Sequence, residues 1–246
     1  MQVCFHSQQC SKWYNEIKLR GEIMKRLIRE IKEELLTVLK GKTLDVLVPP
    51  ILFAILNGRV DLIYSVGIAF LASLFFTVYR ILKGANFFYA LGGMGGVGVA
   101  TALALISANA SSYFIPDIIG STLLIITTIV SNILKRPIAA WVSHIVRGWE
   151  KQWFFREDVR PAYSEVSIFW GVMLTIRLAL EIYLYVQGDP QTLAWTNVVL
   201  GVPATVIVLV ITYIYGIWRL HTMKGPGIDE YRRGDKPPYR GQTRGF

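Results

Sequence analysis

Long apolar runs, separated by short polar connections, dominate the chain from residue 44 to residue 218. A transmembrane helix needs roughly 20 apolar residues, with a range of about 17–25. Five runs satisfy this length, at 60–81, 86–106, 114–134, 165–186 and 193–217. A shorter run at 44–57 contains Pro49 and Pro50, which remove backbone donors and predict a kinked or partly unwound first helix. The pattern predicts an all-α integral membrane protein with six transmembrane helices in residues 44–218.

Residues 1–43 form a polar leader that lacks the apolar run of a secretory signal. Within the leader, residues 16–40 carry apolar side chains at three- and four-residue spacing, which is typical of an amphipathic helix. Such a helix packs either on the protein's own cytoplasmic surface or in the bilayer interface, and the pattern fits both arrangements equally. Met24 offers a second start position for the chain, which would leave residues 1–23 untranslated.

The polar connection between the fourth and fifth spans contains a further helical pattern at residues 137–155. One face of this segment carries Trp141, Trp149 and Trp153, and the other carries charged and polar side chains. Tryptophan prefers the headgroup level of a membrane, where its ring is partly wet and partly apolar. We therefore expect an interfacial helix between spans four and five, anchored by the three tryptophans.

The last segment, residues 219–246, is rich in glycine, proline and charge. A segment of this composition has too few apolar side chains to build a core of its own. The composition predicts a disordered, basic cytoplasmic tail, whose arginines are placed to contact anionic lipid headgroups.

The distribution of positive charge predicts the topology of the spans. Of the 26 lysines and arginines, 24 fall in the leader, the tail and the two connections on the same side of the predicted spans. Cytoplasmic loops are the ones enriched in Lys and Arg, so both ends of the chain are expected in the cytoplasm. This topology explains the net charge of +9 without a nucleic-acid partner.

Arg177 and Glu181 lie inside the fifth predicted span, four residues apart and therefore on one helix face. An arginine at the centre of a bilayer costs at least about 2.5–3.5 kcal/mol, so it should face protein or a wet cavity. Asp117, which opens the fourth span after Pro116, is a candidate partner for Arg177. The three residues form either a self-neutralised structural group that pins helix packing or a substrate or proton site.

Gly92 and Gly96 form a small-residue face on the glycine-dense third span. Small side chains let helix backbones approach closely in lipid, so this face predicts helix packing within one chain or between two copies. The spacing of these glycines does not match a dinucleotide-binding fingerprint, and they lie inside an apolar span.

The chain shows no pattern that predicts catalysis or cofactor binding. Cys4, His6 and Cys10 are three potential metal ligands without a fourth, which makes a poor zinc site. An intramembrane hydrolase would need a nucleophile and a base on facing helices, and no such arrangement is evident. We expect no enzyme activity, no metal and no cofactor.

Several short motifs, in order, carry a resemblance to a known family. They are LDVLVPPILFAIL at 44–56, Arg80 at the end of span two, the glycine-rich span three, YFIPDIIGS at 113–121, LKRPIAAW at 134–141 and Arg177. Over residues 40–218 the chain resembles the domain-of-unknown-function family 3159, which is common in actinobacteria. That family looks distantly similar to intracellular septation protein A, an inner-membrane protein.

The resemblance implies a six-helix membrane protein of the bacterial inner membrane with no established activity, catalytic residue or cofactor. The septation relatives imply a role in envelope synthesis or division through protein partners. The first functional hypothesis is therefore a non-catalytic scaffold or envelope-associated factor, in contact with membrane lipids and with protein partners or further copies of itself. The alternative is a small transporter or channel with a site at Arg177, Glu181 and Asp117.

Overall fold

A computed structural model describes residues 44–84, 87–242 and 245–246. Helices joined by turns and irregular segments make up these residues, and the only bridge of β type among them is an isolated one between Asn57 and Val60. The predicted amphipathic helix at 16–40 and the residues Cys4, His6 and Cys10 lie outside the described part of the chain. The all-α prediction is confirmed for the part that is described.

The described residues form ten α-helices in chain order. They are α1 (Leu44–Leu56), α2 (Leu62–Leu82), α3 (Phe87–Ile106), α4 (Ile115–Ile133), α5 (Ile138–Arg147), α6 (Lys151–Phe154), α7 (Arg160–Gln187), α8 (Pro190–Leu200), α9 (Val202–Thr222) and α10 (Ile228–Arg233). A 3-10 turn at Ala110–Phe114 leads directly into α4.

Four helical segments among the described residues are long and apolar enough to cross a membrane. They are Leu62–Leu82, Ala110–Ile133, Arg160–Gln187 and Pro190–Thr222. Only 11 to 28% of their most apolar stretches is buried inside the protein, so most of this apolar surface faces outward, as lipid-facing surface does. The helix α1 has 13 residues, and the apolar part of α3, Gly92–Ile106, is also shorter than a full span. A total of six transmembrane helices and a cytoplasmic position of both termini remain predictions.

The predicted span at 193–217 is not one helix. The helix α8 ends at Leu200, and α9 begins at Val202 with Pro203 in its first turn. Gly201 between them has φ −72° and ψ −117°, which is not a helical conformation. The helix is therefore broken at Gly201.

One apolar core joins several helices of the bundle. It contains buried side chains of α1, α2, α3, the 3-10 turn, α7 and α8. Phe53 stacks on Tyr113 at a ring-centroid distance of 4.4 Å, which packs α1 against the 3-10 turn. The Gln191 Nε2 donates to the main-chain oxygen of Ala54 at 2.8 Å and joins α1 to α8. This core holds the short, proline-containing α1 in place.

The prediction of one continuous helix over 137–155 is wrong, because this segment forms two helices. The helix α5 ends at Arg147, because Gly148 adopts the left-handed conformation with φ +65°. A separate short helix, α6, follows at Lys151–Phe154. Trp153 belongs to α6, beyond the break, and its side chain is fully buried in protein.

The prediction that residues 219–246 are disordered is also wrong for the described residues of that segment. The helix α9 continues to Thr222, α10 forms at Ile228–Arg233, and Ile228, Gln242 and Phe246 are buried. The segment has few apolar side chains of its own, as its composition indicates, but it packs them against aromatic residues supplied by α6 and α7. Contacts between distant segments thus supply the burial that the segment cannot provide alone.

Candidate functional site

One arginine inside the membrane-spanning helices binds side chains from three helices. The Arg177 Nε donates to Glu181 Oε1 at 2.6 Å, and its Nη2 donates to Asp117 Oδ2 and Asn197 Oδ1, each at 2.8 Å. We call these four residues the arginine cluster. Arg177 and Glu181 belong to α7, Asp117 to α4 and Asn197 to α8, so the cluster ties α4, α7 and α8 together.

Local sequence explains how each helix presents its side chain. The spacing of four residues brings Arg177 and Glu181 to the same face of α7. Pro116 occupies the start of α4 and places Asp117 in its first turn, where the helix dipole favours a carboxylate. Asn197 lies in the last turn of α8, and its main-chain oxygen accepts a hydrogen bond from the N–H of Gly201 at the break.

The members of the cluster differ in burial. The Glu181 side chain is fully buried, Arg177 is 19% exposed and Asp117 is 48% exposed. Glu181 Oε2 has no hydrogen-bond partner among the described residues. The cluster contains two carboxyl groups and one guanidinium, so it carries one excess negative charge if both carboxyl groups are ionised.

The structure brings together the three residues that the sequence predicted and adds Asn197 as a fourth. Sequence reasoning missed Asn197 because a single amide in an apolar run is also common at ordinary helix contacts. A signal was present, since Asn197 lies four residues before Gly201, where an apolar run of 25 residues could be interrupted.

A second ion pair joins α7 to α9 nearer the start of α7. Arg219 donates from Nε to Glu165 Oε2 and from Nη2 to Glu165 Oε1, both at 2.8 Å. The Tyr215 hydroxyl donates to Glu165 Oε2 at 2.7 Å. Each Glu165 oxygen therefore has a partner, and one carboxylate meets one guanidinium.

The end of the chain packs on an aromatic cluster of Trp153, Phe154 and Tyr163. Phe246 stacks on Tyr163 with ring centroids 4.3 Å apart, and its main-chain oxygen accepts a hydrogen bond from Arg147 Nε at 2.9 Å. Trp153 Nε1 donates to the main-chain oxygen of Pro226 at 2.9 Å. These contacts dock residues 224–242 and 245–246, which we call the docked tail, onto α5, α6 and α7.

Two glutamates add polar contacts to the docked tail. Burial raises the pKa of Glu230, but the N–H groups of Arg240, Gly227 and Gly241 donate to its carboxylate and leave the pKa below its ordinary value. A hydrogen bond from Arg232 lowers the pKa of Glu150, across a contact of 2.9 Å between the tail and the start of α6. Both carboxylates therefore favour the docked arrangement in their ionised form.

The profile of a family described as a protein of unknown function, DUF3159, matches residues 41–220, which is more than half of the chain. The chain belongs to the DUF3159 family. This confirms the resemblance inferred from the motifs between residues 44 and 177.

The DUF3159 region contains the arginine cluster, the Glu165–Arg219 pair and α1 to α9 up to residue 220, whereas the docked tail follows it. Comparison with the curated proteins finds no significant match. Comparison with the solved structures likewise finds none. The apolar helices and the family together indicate a membrane protein of a family whose function is unknown.

The three predicted anchor tryptophans have different environments. Trp141 and Trp149 are half-buried, and the Lys151 ammonium lies 4.1 Å from the centroid of the Trp141 ring. Trp153 is fully buried beneath the docked tail, so it cannot anchor the protein in lipid. The prediction of an interfacial anchor is therefore wrong for Trp153.

Gly92 and Gly96 are exposed on α3, and a side chain added at either position would meet no atom within 4 Å. No close approach of another helix is therefore seen at these two positions among the described residues. Packing of this face within the chain is thus not seen, and packing against a second copy stays a prediction.

The described part of the chain contains no group of three His, Cys, Asp or Glu side chains arranged to hold a metal ion. Two open cavities of about 450 and 380 Å³ lie on the docked tail, lined mainly by charged residues of α10 and its surroundings. The arginine cluster lines neither of them.

Proposed function

We propose that the chain is a polytopic protein of the bacterial inner membrane, without catalytic activity, that acts as a scaffold or envelope-associated factor. The observation that carries this proposal is the set of three hydrogen bonds that Arg177 donates. One guanidinium binds an oxygen from each of three side chains and joins three helices, which is the arrangement expected of a structural clamp.

The partners of Arg177 support the structural role. Three of its hydrogen bonds go to Glu181, Asp117 and Asn197. An intramembrane arginine is tolerated when it faces protein and is paired, and this arginine meets both conditions. The excess of Lys and Arg in the leader and tail supports a topology with both ends in the cytoplasm. We also propose that the family is distantly similar to intracellular septation protein A, as the sequence motifs predict, and that the protein acts in the cell envelope through protein partners.

Reconstitution in proteoliposomes tests this proposal. We expect vesicles that contain the purified protein to show the same passive and gradient-driven flux of protons and small ions as protein-free vesicles. We also expect chemical cross-linking in the native membrane to give an adduct of discrete mass, from a partner or a second copy. A gradient-dependent flux that is lost in Arg177→Ala would overturn the scaffold proposal.

A small transporter or channel is the second candidate, and two observations favour it. Glu181 Oε2 is buried without a partner, and the helix break at Gly201 lies one turn from Asn197. Transporters place binding sites at helices broken inside the membrane, where unsatisfied polar groups meet a ligand. If the protein is a transporter, Arg177→Ala abolishes flux. Arg219→Ala removes the other ion pair of α7, and its folded fraction should still show flux.

A further inference from the structure

We propose that Glu181 binds a proton on Oε2, so that the arginine cluster is a charge-neutral proton-binding site between α4, α7 and α8. This inference goes beyond the scaffold proposal and holds whether or not the protein moves a solute.

The first argument is the balance of charge around Glu181. Glu181 binds Arg177 on its own helix, and the same guanidinium binds Asp117 from α4 and the neutral amide of Asn197 from α8. One guanidinium therefore meets two carboxyl groups. An uncompensated charge between apolar helices is costly, and binding one proton removes it.

The second argument is how the guanidinium distributes its donors. Its Nε binds Glu181 Oε1, whereas its Nη2 is shared by Asp117 Oδ2 and Asn197 Oδ1. Asp117 is 48% exposed and keeps access to the surroundings of the bundle, whereas Glu181 is fully buried. Of the two carboxyl groups, Glu181 therefore gains more from becoming neutral.

The third argument comes from Glu165 on the same helix. Both of its oxygens accept hydrogen bonds, from Arg219 and Tyr215, and its pair has one negative and one positive charge. Glu165 is thus stabilised as a carboxylate. In Glu181, Oε1 accepts a hydrogen bond and Oε2 has no partner among the described residues. Glu181 also shares its one guanidinium with a second carboxyl group, that of Asp117. The two glutamates of α7 provide a matched comparison within one helix.

A proton fits the free oxygen better than a metal ion does. Hard cations take about six oxygen ligands, whereas the site offers a single buried oxygen without a partner. A proton needs only that one atom. Its addition to Oε2 converts the carboxylate into a neutral carboxylic acid and changes the net charge of the cluster from minus one to zero.

Infrared spectroscopy of the purified protein in lipid vesicles tests the proposal. At neutral pH we expect a carbonyl stretching band of an un-ionised carboxyl group, which shifts when glutamate side chains carry a carbon-13 carboxyl label and which Glu181→Gln abolishes. The label distinguishes a proton on Glu181 from one on Asp117, because either single variant balances the guanidinium. Asp117→Asn should also remove this band, because one carboxylate then balances one guanidinium. Glu165→Gln is the matched control and should leave the band unchanged. A thermal melt of each variant confirms that it is folded.

The outcomes separate the proposal from its rivals. A band that is absent at neutral pH, that survives Glu181→Gln, or that does not shift with the glutamate label overturns it. A band that survives Asp117→Asn overturns the charge-balance argument on which it rests. The measurement is repeated with sodium chloride replaced by choline chloride: an unchanged band supports a proton, and a band that appears only without sodium shows that a metal cation occupies the site instead.

Discussion

Gly216 on α9 lies directly beneath the ring of Phe246. A methyl group added at Gly216 would overlap this ring, so the position has no room for a side chain. The ring itself stacks on Tyr163 of α7. The docked tail is therefore held at its far end by a close fit between a glycine and an aromatic ring, and this fit can be tested by adding one carbon atom.

We expect Gly216→Ala to release the end of the docked tail. Overpacking of a close contact typically costs about 1–3 kcal/mol, and each 1.4 kcal/mol is a tenfold change in an equilibrium. Trypsin should therefore cleave at the lysines and arginines of the tail roughly ten times faster than in the parent protein. Gly92→Ala is the control, because position 92 has open space around it. Equal resistance of both variants would contradict the packing of Phe246 on Gly216.

The docked tail should loosen in acid. Glu150 and Glu230 have lowered pKa values when the tail is docked, so each stabilises docking in its ionised form. This stabilisation is complete above the ordinary glutamate pKa of about 4.3 and is lost as the pH falls through the lowered values. Hydrogen exchange of residues 226–242, measured from pH 7 downward, should show protection that decreases below about pH 4.3.

Glu230→Gln checks the origin of this pH dependence. The amide has one acceptor oxygen in place of two, and Glu230 accepts from three main-chain N–H groups. We expect weaker protection at neutral pH and a smaller change on acidification. A pH profile identical to that of the parent protein would show that other groups control docking.

Asn197→Leu should destabilise the protein through the arginine cluster. The variant removes a hydrogen bond between a neutral oxygen and the Arg177 guanidinium, and such bonds contribute about 1.5–3 kcal/mol. Asn132→Leu is the matched control, because the Asn132 amide donates within its own helix to Thr128 and its Oδ1 has no partner among the described residues. We expect a lower midpoint of thermal unfolding for Asn197→Leu and little change for Asn132→Leu. Equal effects would argue against a clamp at Asn197.

Trp141 and Trp153 should differ in their contact with lipid. In vesicles of brominated lipid, bromine quenches tryptophans at the bilayer, and Trp141 is half-buried whereas Trp153 is fully buried beneath the docked tail. Trp141→Phe should remove a larger part of the quenchable fluorescence than Trp153→Phe. The opposite order would place Trp153 in lipid and the tail away from it.

The charged residues inside the membrane domain could be predicted from the sequence, whereas the positions where its helices are interrupted could not. Arg177, Glu181 and Asp117 were found because charges inside apolar runs are rare and helical spacing is regular. The breaks at Gly148 and Gly201 were missed, because a glycine within a helical pattern is equally compatible with a continuous helix. Local composition does not reveal whether the backbone conformation at such a glycine is helical.

The order of residues 224–242 was missed for a different reason. Their composition lacks the apolar content for a core, which is correct for the segment alone. The missing surface is supplied by Trp153 and Tyr163, about 70 residues earlier in the chain. The tail's own sequence does not indicate that this surface exists. Its docking can therefore be recognised only in the folded structure, where the distant segments meet.

The helix α7 runs without a break from the docked tail to the arginine cluster. It carries Tyr163, which contacts the docked tail, and Glu181, which belongs to the arginine cluster, on one uninterrupted run from Arg160 to Gln187. The two side chains are separated by roughly 27 Å along the helix axis. A rigid rod transmits a tilt or a rotation along its whole length. Because α7 is one uninterrupted helix, a tilt of its start at Tyr163 is expected to move Glu181 against Asp117 and Asn197 as well, which couples docking of the tail to the arginine cluster.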